Sequence, residues 1–256
     1  MGKQGRTIAI GDIHGCSTAL AALINLIDPQ PDDTIIPLGD YVDRGLDSKG
    51  VLDLLIALQS RCHLVPILGN HDEMMLNARN GKDDFNFWMN CGGITALDSY
   101  GSSGRLDLIP AAHFRFLQKC VPFFETNTHF FVHANYRPDM RLEDMDEHTL
   151  RWLSLRDFVP TPHISGKIAV MGHTPQPVIL DLGHLICLDT GCCHGGWLTA
   201  FDVKSRQCWQ VNERGEATAT VIVPLSSDDN SPQLWRTHHA SHAHGTGRVR
   251  TLVSRR

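Results

Sequence analysis

No stretch of the sequence approaches the roughly 18 uninterrupted apolar residues that a membrane span requires, so no transmembrane helix is expected. The segment before the first apolar run, from Met1 to Thr7, carries neither a long apolar region nor a cleavage site, so no signal peptide is expected either. Positive charge is not in excess: Lys and Arg total 23 against 28 Asp and Glu, for a formal charge of −5. That balance excludes a non-specific nucleic-acid binder working by counterion release, and any anionic substrate must be held by local groups. The eight cysteines (16, 62, 91, 120, 187, 192, 193 and 208) contain no CxxC pair and no regular spacing. They read as buried reduced thiols in a cytoplasmic protein, the adjacent Cys192 and Cys193 included, and not as a disulfide framework or thiolate cage. Internal repeats are also absent. What remains is ordinary globular composition, 42% hydrophobic and 20% charged over 256 residues, with one outlier: 15 histidines.

Periodicity places those histidines. Thr7–Ile10 alternates as a strand, and Leu20, Leu23, Ile24 and Ile27 recur at helical spacing after Ser17, a candidate N-cap, stopping before Pro29. Thr34–Leu38 reads as a second strand, Val51 to Leu58 as a second helix and His63–Leu68 as a third strand. This βαβ rhythm predicts an α/β fold, with the three strand ends converging on one crevice. Residues 72–120 read mostly as helix, interrupted around 100–105, and suggest a helical cap. Short runs at 122–125, 129–132, 167–171, 184–188, 197–203 and 207–211 are expected to form a second, more antiparallel sheet packed on the first. The apolar pattern ends near Leu225, so residues 1–225 are expected to form the catalytic domain and the His/Arg-rich stretch 226–256 a disordered tail.

Each strand end carries a donor. Asp12 and His14 stand two apart in Gly-Asp-Ile-His-Gly, a spacing at which extended backbone points both side chains the same way. Asp40 follows the second strand, Asn70 and His71 the third, His133 the run 130–132, and His173 the run Val170-Met171-Gly172. Singly, such residues read as turn formers or caps. Five such signals, all bearing Asp, Asn or His, point instead to a site for first-row divalent ions such as Mn, Fe or Zn.

Gly11-Asp12-Ile13-His14-Gly15, Gly39-Asp40-Tyr41-Val42-Asp43-Arg44-Gly45, Gly69-Asn70-His71-Asp72, Val132-His133-Ala134 and Gly172-His173-Thr174 resemble, in order, the motifs of the calcineurin-like metallophosphoesterases. Within that family they look like the phosphoprotein phosphatase branch that includes bacterial and phage Ser/Thr phosphatases, over about residues 7–211. The resemblance implies a four-layer α-β-β-α sandwich of two packed mixed sheets, with a dinuclear metal centre at the strand C-terminal ends. It implies that Asp12, His14 and Asp40 hold one ion and that Asp40, Asn70, His133 and His173 hold the other, with Asp40 bridging. Manganese is the first expectation, with Fe, Zn or Co as alternatives. Such a pair would orient a bridging hydroxide for in-line attack on phosphorus, and its +4 charge would keep the site electropositive in an acidic protein. His71 resembles the family's general acid, Asp43 its partner, and Arg44 a bidentate fork for phosphate oxygens. A second phosphate-binding arginine is assigned to Arg156, with Arg151 as the alternative, because Leu150-Arg151-Trp152-Leu153-Ser154-Leu155-Arg156 departs from the expected Trp-x-Arg spacing.

The acid at Asp43 favours a Ser/Thr phosphoprotein phosphatase acting on a phosphorylated protein or a small phosphate ester. The run Leu188-Asp189-Thr190-Gly191 with Gly195-Gly196 is similar to symmetrical dinucleoside tetraphosphatases, which commonly lack that acid, and keeps them as the alternative beside a broad-specificity phosphatase or phosphodiesterase. A non-catalytic metal-binding protein is the alternative of another class. Neither nucleic acid nor membrane is expected as a partner. Surface or cap roles are expected for His113, His129, His148 and His163, a position near the crevice for His184 and His194, and no catalytic role for His238, His239, His242 and His244 in the tail.

Overall fold

The structure is a computed structural model that describes residues 5–101 and 104–221. Its first sheet is built from β1 (Thr7–Ile10), β2 (Thr34–Pro37), β3 (His63–Leu64) and three late strands. Between the early strands run α1 (Ser17–Ile27) and α2 (Ser48–Leu58), and after β3 come α3 (Asn70–Asn77), α4 (Lys82–Trp88), α5 (Ile94–Ser99) and α6 (Ala111–Gln118). The second sheet contains β4 (Phe123–Glu125), β5 (His129–Val132), β6 (Ile168–Met171), β7 (Leu180–Asp181) and β8 (Leu185–Cys187), with the short α7 (Glu147–Arg151) between β5 and β6. β9 (Leu198–Asp202), β10 (Gln207–Val211) and β11 (Ala217–Val221) then return to the first sheet, giving the order β11-β10-β9-β1-β2-β3 against β4-β5-β6-β8-β7.

This placement corrects one expectation. The late strands do not all join the second sheet, because β9 pairs antiparallel with β1, Ile8 opposite Asp202. The second sheet is also less antiparallel than expected: β5, β6 and β8 run parallel. Parallel strands put their carboxyl ends on one edge, and that geometry makes a crevice between the sheets useful as a site.

The period of two along each strand assigns side chains to layers. Ile8 and Ile10 face outward onto α1 and α2, where they join Leu20, Leu23, Val51 and Leu55 in one buried cluster. Ala9 and Ile36 face inward and meet Phe131, Val170, Ile186 and Phe201 between the sheets. Phe130, Ala169, Met171 and Leu185 face outward on the far side, beneath Tyr136, Leu142 and Leu150. Three apolar layers thus separate four structural ones. Each fully buried aliphatic side chain contributes about 1.5–3 kcal/mol.

Local chemistry sets the helix ends. α1 starts one residue earlier than a Ser17 cap would allow: Cys16 is the cap position without a side-chain bond, and the Ser17 hydroxyl donates to Asp47 at 2.6 Å. Asp28 closes α1 in a left-handed conformation, its N–H reaching the Ile24 carbonyl. Asp47 caps α2 by accepting from the Gly50 N–H at 2.8 Å. The helical stretch after β3 packs onto α2, and Trp88, Leu97, Phe114 and Leu117 share the cluster of α1 and α2. β11 lies beyond the expected run of strands, at a sheet edge. The stretch 226–256, with its four histidines, lies outside the described residues. No helix among the described residues is long and apolar enough to cross a membrane.

Candidate metal centre

The loops leaving β1, β2, β5 and β6 and the first turn of α3 meet at one crevice. Two glycines permit their closest approach. A Cβ on Gly69 would lie 2.2 Å from the Asp40 backbone nitrogen, and one on Gly39 would lie 2.7 Å from both Gly69 and the His133 ring. Asp72 ties the same two loops together: its carboxylate accepts the N–H of Gly69 at 3.1 Å and that of Tyr41 at 3.0 Å. The backbone is strained at this point. Of the seven non-glycine residues with left-handed φ among the described residues, five are His14, Asp40, Asp43, Arg44 and His173, at 44°, 52°, 70°, 68° and 65°. Such outliers persist only where the surroundings enforce them, and they cluster at functional sites.

The side chains converge on Asp40. Its Oδ2 lies 3.4 Å from His14 Nε2 and its Oδ1 lies 3.4 Å from His133 Nε2. Asn70 Oδ1 lies 3.0 Å from both His133 Nε2 and His173 Nδ1. The opposite ring nitrogen of each imidazole is committed to a backbone carbonyl: His14 Nδ1 to Val42 at 2.9 Å, His133 Nδ1 to Leu38 at 2.8 Å, and His173 Nε2 to Trp152 at 3.1 Å. A carbonyl only accepts, so those nitrogens carry the proton, and the nitrogens facing Asp40 and Asn70 present lone pairs. Around Asp40, Asn70, His133 and His173 lone pairs of nitrogen and oxygen therefore face one another without a hydrogen between them, an arrangement that a cation satisfies and that fits a neutral-imidazole metal site, while His14 Nε2 meets an Arg44 N–H at 2.7 Å.

Electrostatics agree with this geometry. Burial lowers His14 to about 3 and His173 to about 4, and it lowers His133 as well, keeping all three as neutral donors. Burial alone would raise Asp40, but the surrounding imidazoles outweigh it and hold that carboxyl below its ordinary range. Asp12 is pushed up by burial and by the negative charges of Asp189 and Asp40. Its carboxylate accepts the His173 N–H at 3.0 and 3.1 Å. Two groups of three ligand atoms lie within 4.8 Å of one another: His14, Asp40 and His71, and Asp40, His133 and His173.

His71 occupies the first of these groups, in which the motif resemblance expects Asp12, and has a further carboxylate partner. Its Nδ1 meets Asp43 Oδ2 at 2.7 Å, and both residues are buried. The Arg44 fork spans the two neighbouring imidazoles, one terminal nitrogen 2.7 Å from His14 Nε2 and the other 2.9 Å from His71 Nε2.

A model of the calcineurin-like phosphoesterase family matches residues 5–204. The chain belongs to this family. A calcineurin-like phosphoesterase is a hydrolase acting on phosphoester bonds and uses divalent metals, so the non-catalytic alternative loses its support. Serine/threonine-protein phosphatase 1 of Salmonella typhimurium is 30% identical over 199 residues, spanning 74% of this chain and 88% of that one. The symmetrical bis(5'-nucleosyl)-tetraphosphatase of Janthinobacterium sp. is 27% identical, spanning 80% of this chain and 95% of that one. The fold matches a crystal structure of a cold-active protein tyrosine phosphatase with a TM-score of 0.60 at 16% identity, covering 85% of this chain and 79% of that one.

Around this phosphoesterase centre the remaining candidates separate. Arg151 is buried and paired with Glu73 at 2.9 Å and with Glu147, whereas Arg156 is exposed. The positive charges of Arg156 and Arg44 both reach Asp189. Asp189 itself, which follows β8, was not singled out for the site from the sequence. It is 3% exposed, and burial pushes its carboxyl up to about 6. A strand followed by an acid was the available signal, but no glycine precedes that acid. Trp88 was also missed: its indole N–H donates to both Asp43 oxygens at 2.9 and 3.0 Å. His113, His129 and His163 are buried and hydrogen-bonded, not on the surface, with His113 bridging Tyr100 and Asp53. His184 bonds the carbonyls of Leu182 and Pro160, away from the ligand cluster.

Proposed function

We propose that the protein is a metal-dependent phosphomonoesterase acting on Ser/Thr phosphoproteins. Two divalent ions, manganese first among the candidates, would be held by Asp12, His14 and Asp40 and by Asp40, Asn70, His133 and His173. When bound, such ions supply positive charge for phosphate oxygens and lower the pKa of an attacking water. The chain's own residues do the rest. Arg44 offers a planar fork to the phosphate. His71 Nε2 faces an Arg44 N–H in this structure; once the fork turns to the phosphate, that nitrogen would carry the proton given to the leaving oxygen as the P–O bond breaks, while Asp43 holds the ring through Nδ1. Arg156 reaches the same phosphate from the exposed side of the crevice, while the helices of residues 72–120 border it as a cap.

The buried contact of 2.7 Å between Asp43 and His71 carries this reading. A general acid matters most where the leaving group is a poor one, such as the alkoxide of serine or threonine. The tetraphosphatase alternative is supported by the buried Asp189 in its Leu188-Asp189-Thr190-Gly191 turn and by the tetraphosphatase relatives. Eight unpaired cysteines support a reducing, cytoplasmic setting.

The test is turnover by the manganese-loaded protein on a phosphoserine peptide, an aryl phosphate and diadenosine tetraphosphate. The phosphopeptide and aryl ester are expected to be hydrolysed with the higher kcat/KM, and chelation is expected to abolish both activities. A preference for diadenosine tetraphosphate would overturn the phosphoprotein reading in favour of the alternative.

A further inference from the structure

Trp88 is the last residue of α4 and is fully buried. Its indole N–H is shared between the two oxygens of Asp43, at 2.9 Å to Oδ1 and 3.0 Å to Oδ2. Asp43 Oδ2 also accepts from His71 Nδ1 at 2.7 Å, so the carboxylate is gripped between an imidazole and an indole. Oδ1 has no other hydrogen-bond donor among the described residues. Asp43 cannot choose its own aim by backbone adjustment, since its φ of 70° is left-handed and its N–H is committed to Ser48 Oγ at 3.0 Å. The orientation of its carboxylate is left to its two side-chain partners.

The indole is itself held in place. Gly93 lies against the ring, where a Cβ would sit 2.6 to 3.0 Å from three of its carbons. In the same turn the Gly92 carbonyl faces the Arg44 N–H at 3.5 Å, and a Cβ on Gly92 would lie 3.3 Å from the Arg44 side chain. One segment, Trp88 to Gly93, therefore supports both the partner of His71 and the backbone of the phosphate fork.

We propose that Trp88 is a positioning residue for proton donation: its indole N–H fixes the Asp43 carboxylate so that Oδ2 aims the His71 ring at the leaving group. The inference rests on the reading of His71 as the general acid. An imidazole that must deliver its Nε2 proton along one direction needs its Nδ1 partner fixed, and a carboxylate with a single side-chain contact rotates. Indole suits this task because it donates and never accepts, so it cannot compete with Asp43 for the His71 proton. The helical segment carrying Trp88 is thereby coupled to the chemistry without touching substrate.

The experiment uses the full-length, manganese-loaded enzyme and a series of phosphomonoesters running from p-nitrophenyl phosphate to a phosphoserine peptide. Trp88→Phe keeps the ring and removes the N–H. It is expected to lower kcat about 10- to 100-fold on the peptide, with KM and metal content unchanged, and to change p-nitrophenyl phosphate turnover less than about threefold, because a good leaving group needs little protonation. Gly93→Ala, which crowds the ring without removing it, is expected to give the same split and serves if Trp88→Phe fails to fold. In an Asp43→Asn background, Trp88→Phe is expected to add nothing. His71→Asn separates the two readings. If it lowers both substrates equally, the general-acid reading fails. If it shows the split while Trp88→Phe and Gly93→Ala lower both substrates equally, the role of Trp88 alone is overturned.

Discussion

Gly69→Ala is the most direct test of how the ligand loops are held together. In the native structure a Cβ at this position would sit 2.2 Å from the Asp40 nitrogen and 2.3 Å from Asp40 Oδ1. Ordinary carbon contacts begin near 3.4 Å, so the loop after β2 and the start of α3 must part by about 1 Å. Neither neighbour is a flexible side-chain tip: one is backbone, and the other is the carboxylate on which both ligand groups converge. Metal sites tolerate ligand displacements of only ~0.2 Å, and a misplacement of about 1 Å costs on the order of 100-fold in rate. The φ of Gly69 is −87°, so backbone strain adds nothing and the effect is purely steric. Gly183→Ala is the matched control, with a φ of +81° and nothing within 4 Å of the added carbon. It is expected to cost about 1 kcal/mol, or ~2–4 °C in Tm, from left-handed strain alone. The assay pairs manganese binding by calorimetry with turnover of p-nitrophenyl phosphate. Gly69→Ala should weaken binding at least tenfold and turnover about 100-fold, while Gly183→Ala leaves both intact. Wild-type affinity and rate in a folded Gly69→Ala protein would refute the close-approach argument.

Three further outcomes follow from particular contacts. His71→Asn should retain manganese binding at the level of the wild type, measured by metal analysis, while phosphoserine peptide turnover falls about 100-fold or more. Arg156→Ala should raise KM for phosphopeptide without changing Tm, whereas Arg151→Ala, which strips the half-buried Glu73 of its cation and leaves it only the Trp152 N–H, should lower Tm. Either arginine behaving as the other would reverse that assignment. Asp33 is buried, which raises its carboxyl, but hydrogen bonds from Arg6 at 3.0 and 3.2 Å win and hold it below its usual value. A lowered carboxyl stabilises the fold above its unfolded pKa of about 4 and loses that contribution as pH falls through the folded value. The Tm gap between wild type and Arg6→Ala should therefore be full at neutral pH and narrow below about pH 4. A gap independent of pH would exclude the ion pair as its source.

Much of the site was legible because its signal is local. A strand, a glycine and a donor occupy adjacent positions, so Asp12, His14, Asp40, Asn70, His133 and His173 are named as candidates from the chain; the structure gathers His14, His133 and His173 near the Asp40 carboxylate, with Asn70 against the last two imidazoles and Asp12 against the His173 N–H. Strand pairing was less legible. Gln207–Val211 alternates as a strand wherever it lies, and nothing within five residues says that its neighbour is β9 or that β9 will seek β1. β11 is Ala-Thr-Ala-Thr-Val, with too little apolar contrast to mark a strand. Trp88 reads as one more apolar residue on a helix, because its hydrogen bond to Asp43 spans 45 positions. His113 reads as a surface or cap residue for the same reason: its partners are Asp53 on α2 and Tyr100 just past the end of α5.

The pairing of Ile8 with Asp202 has a consequence for the order of events during synthesis. β1 precedes every other described strand, yet the neighbour on one of its edges, β9, follows only after β2 to β8 have been made. Until then that edge is a free template, and the slow closure of so long a loop sets when the sheet is sealed. The candidate ligands follow a related timetable, since His14 and His173 flank Asp40 from different sheets and gather there only once both sheets exist. A ribosome-bound chain lacking β9 is therefore expected to bind chaperones through its open edge, and one that also lacks β6 and His173 to bind metal more weakly. A centre assembled from both sheets would then be loaded late, after the second sheet has formed.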